Sequence, residues 1–217
     1  MSNNQHRATL IVVGTKTYLG EEVARFGRAL GHRVIAVVDE NIPDPIHPWM
    51  MGVHWIESSL PDLHAFYDGS SFLVFYCDQI LAENGIRTFA AVQSDRPRAL
   101  LNQCEELPEK SHRRFIYRSF APHPFLISGL KEETRRMEAR LMKSPLRWSI
   151  LRFPLLYGPD RPASALAMSM FRIAGLPTLP VETGALAMLR AGLEPDLEGV
   201  FEPREIKKIG DVMIAQT

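Results

Sequence analysis

Gly14, Thr15, Lys16, Thr17, Tyr18, Leu19 and Gly20 form a glycine-bounded turn between an apolar run and an amphipathic one. A turn in that setting starts a helix, whose first N–H groups and dipole favour a phosphate. Asp39 follows about 20 residues past the glycines, where a carboxylate can accept both hydroxyls of an adenine ribose. This is binding chemistry for a dinucleotide. One position departs from the G-x-x-G-x-x-G spacing: its middle residue is Thr17. Glycine there lets the backbone approach a pyrophosphate closely, whereas threonine adds a branched side chain with a hydroxyl that could donate to a phosphate.

These residues need a strand, a turn and a helix to position them. Thr9 to Val13 predicts a buried strand, and Leu19, Val23, Phe26 and Leu30 recur at helical spacing before Gly31. Arg33 to Val38 predicts a second strand ending at Asp39, and Pro43, Pro45 and Pro48 make the next segment a loop. Further strands are expected at Val53–Ile56, Ser71–Cys77, Arg114–Arg118 and Trp148–Arg152. Helices are expected at Pro61–Tyr67, over Asn84–Glu106 with a kink or break at Pro97, and where Leu126, Leu130, Met137 and Leu141 share a face. Alternation of this kind implies an α/β fold with a doubly wound parallel sheet. From Pro154 the pattern turns to loop and helix. The expected organisation is therefore one domain over residues 1–217, with a flexible tail at 1–7 and a small helical cap at 154–217.

Composition narrows the function. The chain has 217 residues, 46% of them hydrophobic, enough for one well-buried domain. Lys plus Arg is 25 and Asp plus Glu is 25, so no global field draws nucleic acid or an anionic membrane. Cys77 and Cys104 are too few for a disulfide framework or a zinc site. With a polar start, Met1 to Arg7, and no spanning apolar run, a cytoplasmic protein is expected.

The run Leu151-Arg152-Phe153-Pro154-Leu155-Leu156-Tyr157-Gly158-Pro159 is similar to the LR-x-x-x-x-YGP segment of epimerases. With the glycine turn, it makes the chain resemble an atypical, extended short-chain dehydrogenase of the NAD-dependent epimerase/dehydratase kind. The stretch from Pro180-Val181-Glu182-Thr183 through Glu198-Gly199-Val200 to Glu205-Ile206 also resembles small NAD(P)-binding proteins related to the human Tat-interacting protein. The resemblance implies a Rossmann-like fold, a bound dinucleotide and chemistry by serine, tyrosine and lysine. Tyrosine moves the proton that balances hydride transfer, and lysine, four residues on, holds the ribose and lowers the tyrosine pKa. Lys131 fits the lysine position, but Ile127 stands where the tyrosine belongs. The paired serines fall on Ser119 and Phe120. Lys131 and Ser119 are thus what the resemblance leaves of a catalytic set.

The cofactor-binding set is Gly14 to Gly20, Asp39, Cys77, Asp78, Lys131 and Pro154. Cys77 and Asp78 end the fourth strand, the edge where this fold lines its ligand crevice. Asp39 with Glu40 disfavours a 2′-phosphate, which favours NAD, while Lys16 and Arg33 could offset that charge and admit NADP. Tyr117, His123 and Tyr157 are the groups that could replace the missing proton donor. Two functions remain open. One is a cofactor-binding, sensing or assembly protein with a degraded site, either a homodimer or a subunit. The other is an active oxidoreductase or epimerase on a small, largely apolar carbonyl or sugar-like substrate.

Overall fold

Thr9–Val13 (β1) and Arg33–Val38 (β2) are apolar, β-branched segments that pair in parallel, Thr9 beside Arg33 and Val13 beside Val37. The computed structural model describes residues 8–42, 47–69, 71–77, 95–108, 113–121, 128–158 and 177–214. His54–Glu57 (β3), Phe72–Tyr76 (β4), Arg113–Phe120 (β5), Arg147–Phe153 (β6) and Gly199–Phe201 (β9) join the same sheet. Its order is β3-β2-β1-β4-β5-β6-β9, and every neighbouring pair is parallel. The order reverses direction between β1 and β4. In an open sheet, the crevice beyond the carboxyl ends at that point is where ligands bind. Leu155–Tyr157 (β7) and Thr178–Pro180 (β8) form a separate parallel pair.

Helices cover both faces, which is why the central strands are apolar on both sides. Leu10 and Val12 face Tyr18–Ala29 (α1) and Val181–Leu193 (α4), in a cluster that Ile206 of Pro203–Ile214 (α5) completes. Ile11 and Val13 face Asp95–Glu106 (α2) and Ser128–Leu141 (α3) through Leu100, Leu101, Met137 and Leu141. A short 3₁₀ turn, Leu63–Phe66, stands in the Pro61–Tyr67 segment.

Pro97 lies in the first turn of α2, where its missing N–H costs no helical hydrogen bond. Residues 78–94 lie outside the described residues. The region from Pro154 is not simply a cap: β9 extends the main sheet, and α4 is part of the core, with Ala185, Ala187, Leu189 and Ala191 fully buried. Arg114 holds its end, donating to the carbonyls of Ala191 and Glu194 at 2.5 Å each. The N-terminal tail, residues 1–7, lies outside the described residues.

Candidate functional site

The turn after β1 is fixed by its own side chains. Gly14 has φ 83°, a left-handed conformation that favours glycine. A Cβ on Gly20 would lie 2.1 Å from the Gly14 carbonyl oxygen, so only glycine lets α1 start this close to β1. The Thr15 hydroxyl is buried and donates to the Val37 carbonyl at 3.0 Å. That bond ties the turn to the end of β2. Lys16 is exposed, and its Nζ donates to the Glu40 carbonyl.

Thr17 is the N-cap of α1. Its hydroxyl accepts from the Gly20 N–H at 3.1 Å and has two carbonyl acceptors for its own proton, Gly14 at 2.7 Å and Cys77 at 3.1 Å. The side chain therefore bridges β1 and β4 at the point of reversal, and its hydroxyl is directed at protein acceptors. The Cys77 carbonyl also accepts from Nη1 of the buried Arg118, at 3.2 Å. The Cys77 side chain itself is fully buried, its sulfur 3.9 Å from the Met188 sulfur. Leu19 is likewise fully buried in the core. Tyr18, half-buried, reaches the other recognised motif: a Cβ on Gly158 would lie 1.5 Å from the Tyr18 hydroxyl oxygen. Pro154, half-buried, joins β6 to β7.

Beyond the carboxyl end of β2, Asp39 forms an ion pair with Arg96, Oδ1 to Nη1 2.6 Å. Arg33 stands at the opposite end of β2 and pairs with Asp68 at 3.2 Å, so it cannot offset charge at Asp39. No local sequence signal marks Arg96, because its partner comes from a different part of the chain.

The expected proton-transfer groups are arranged differently from a relay. Ser119 is fully buried and donates to Glu138 of α3. Glu138, also buried, receives Arg152 through two bonds, Nε at 3.1 Å and Nη2 at 2.6 Å. Arg152 reaches Glu202 as well, at 2.8 Å. Hydrogen bonding to Glu138, against the opposing effect of burial, holds the Arg152 guanidinium above its usual pKa. Thr134, Met137, Glu138 and Leu141 make the buried face of α3, and Lys131 is exposed. A carboxylate on the helical stripe that carries Met137 and Leu141 was the signal that could have found Glu138. Tyr117 stacks on Tyr76, centroids 5.7 Å apart, and burial, then the charges of Glu138 and Glu133, push its phenol above the usual range. Tyr157 is half-buried in the pair with β8, beside Pro180. Asp78, His123 and Ile127 lie outside the described residues. Phe153 is buried in the core, while Phe120 is half-buried at the end of β5.

Among the described residues no group of His, Cys, Asp and Glu could hold a metal ion, and no helix is long and apolar enough to cross a membrane.

No protein-family model matches the chain, and no curated protein does. Solved structures do. The Bordetella bronchiseptica enzyme WbmG in complex with NAD superimposes with a TM-score of 0.67 at 16% identity, over 100% of this chain and 80% of that one. Thermus thermophilus UDP-glucose 4-epimerase in complex with NAD gives 0.63 at 15%, over 96% and 82%. TunA, an NAD-dependent NDP-hexosamine 5,6-dehydratase of tunicamycin biosynthesis, gives 0.65 at 16%, over 98% and 81%. At such identities the likeness is one of fold.

Proposed function

We propose that this chain binds a nicotinamide–adenine dinucleotide, NAD in the first instance, and has lost the serine–tyrosine–lysine proton relay. One observation carries the binding reading: the Gly14–Gly20 turn opens α1 at the point where sheet order reverses, with Asp39 at the end of the neighbouring strand. The fold shared with NAD-bound enzymes supports it. The residues present fit the group, since the α1 N-terminus offers N–H donors to a pyrophosphate and Asp39, half-exposed, offers an acceptor to a ribose. Bound there, the nicotinamide would supply hydride chemistry.

Three features favour a degraded relay. Isoleucine stands at position 127, Ser119 is spent on Glu138, and Lys131 is exposed on α3. Tyr117 is a poor substitute, because a buried phenol with a raised pKa gives up its proton reluctantly. The role is then cofactor sensing, or service as a homodimer or as a subunit of an assembly.

Two assays together test this reading. Thermal-shift titration should raise the melting temperature with NAD or NADH, because a ligand that binds only the folded state stabilises it. Incubation with alcohols, ketones and nucleotide sugars should give no turnover with either cofactor. Robust carbonyl reduction, abolished by a change at Tyr117, His123 or Tyr157, would overturn the degraded-site reading and identify the proton donor.

A further inference from the structure

Arg96 is 6% exposed and belongs to no recognised motif, yet it sits where the adenosine end of the site is built. It lies in the first turn of α2 and spans the carboxyl ends of two strands. Nη1 is 2.6 Å from Asp39 Oδ1, beyond β2, and Nη2 donates to the Ser58 carbonyl at 3.3 Å, beyond β3. The two members of the ion pair are unequally exposed. The Arg96 side chain is 4% exposed and that of Asp39 is 54%. The guanidinium is held behind the carboxylate, and the carboxylate faces solvent.

A lone carboxylate at the end of β2 selects against a 2′-phosphate by like-charge repulsion. Paired with a buried guanidinium, it presents little net charge to that phosphate while Oδ2 can still accept from a ribose hydroxyl. Lys16 adds a second cation to the same loop through its bond to the Glu40 carbonyl. Two cations, Arg96 and Lys16, thus stand beside the Asp39–Glu40 segment. We infer that Arg96 sets selectivity at the adenosine 2′ position: by neutralising Asp39 it makes the site accept dinucleotides with and without a 2′-phosphate. Arg96 acts through Asp39 and is a positioning residue. The inference rests on the dinucleotide reading above.

Calorimetric titration of NAD and NADP into the wild-type protein, Arg96→Met and Arg96→Lys tests it. The wild type should bind both within about tenfold of each other. Arg96→Met exposes the full charge of Asp39, so NADP should weaken by about tenfold or more while NAD changes by less than about threefold. Arg96→Lys, which keeps the charge, should retain NADP. The NADP-to-NAD affinity ratio is the decisive readout, because a merely structural role would weaken both alike. If Arg96→Met fails to fold, the wild-type ratio and the Arg96→Lys ratio still decide. NAD binding with NADP rejected by more than about a hundredfold would overturn this inference alone. So would an equal loss of both dinucleotides in Arg96→Met. Failure of the wild type to bind either would overturn the proposed function first.

Discussion

The Thr17 hydroxyl oxygen lies 3.1 Å from the Cys77 carbonyl oxygen, so one side chain joins the turn after β1 to the end of β4. The same oxygen caps α1 through the Gly20 N–H, at 3.1 Å. Replacing Thr17 with glycine removes the bridge and, on the proposed binding reading, lets a pyrophosphate approach the backbone of the turn closely. Glycine is itself a tolerated N-cap, so losing the cap should cost only a few tenths of a kcal/mol and losing the bridge about 0.5–1.5 kcal/mol more. Calorimetry should find NAD binding tighter in Thr17→Gly than in the wild type. Weaker binding would mean that the threonine hydroxyl serves the phosphate.

The strand–turn–helix unit was legible because each part has a local cause: β-branched apolar residues at 9–13, glycine at 14 and 20, and helical spacing of Leu19 and Val23. Met137 and Leu141 likewise marked the inner face of α3. What stayed illegible depends on tertiary closure. The partner of Asp39 is Arg96, not Arg33, and nothing in the spacing of either segment indicates it. The short strands β7, β8 and β9 have three residues each, too few to show a period of two. Helix α4 is buried along most of its length and so lacks the polar face that marks a surface helix.

Tyr18 and Gly158 join the two motifs on which the sequence resemblance rests. A Cβ at position 158 would lie 2.5 Å from Tyr18 Cζ as well as meeting its hydroxyl. Gly158→Ala should therefore destabilise the fold by about 1–3 kcal/mol, the usual cost of overpacking. Tyr18→Phe in the same chain should recover part of it, read as a coupling of about 0.5 kcal/mol or more in urea unfolding. Additive effects would separate the two motifs.

Glu138 is 5% exposed and shared by Ser119 and Arg152. Arg152→Met leaves that carboxylate buried without its cation and should cost about 3–5 kcal/mol. Adding Glu138→Gln should return much of the loss, since the residual charge is then gone. Ser119→Ala should be mild by comparison, about 1 kcal/mol, because Arg152 still satisfies the carboxylate. Denaturant midpoints check all three.

His32 supplies a pH dependence. Burial lowers its pKa below the ordinary 6.5, so the unfolded chain takes up this proton at higher pH than the folded one. The unfolded state then binds more protons, and stability falls as pH drops below 6.5. Well above 6.5, where the imidazole is neutral in both states, this group contributes no slope. His32→Gln should flatten the decline of melting temperature on the acid side of that value while leaving the neutral side parallel to wild type. An unchanged acid slope would assign the dependence to the carboxylates.

A crystal structure of the protein soaked in millimolar NAD tests the central claim most directly. The pyrophosphate is expected over Thr15 to Leu19 at the N-terminus of α1, with the adenine ribose against Asp39. The contradicting result is a soaked crystal in which that turn is unchanged, Thr17 still bridges to Cys77, and no dinucleotide lies along the carboxyl edge between β1 and β4.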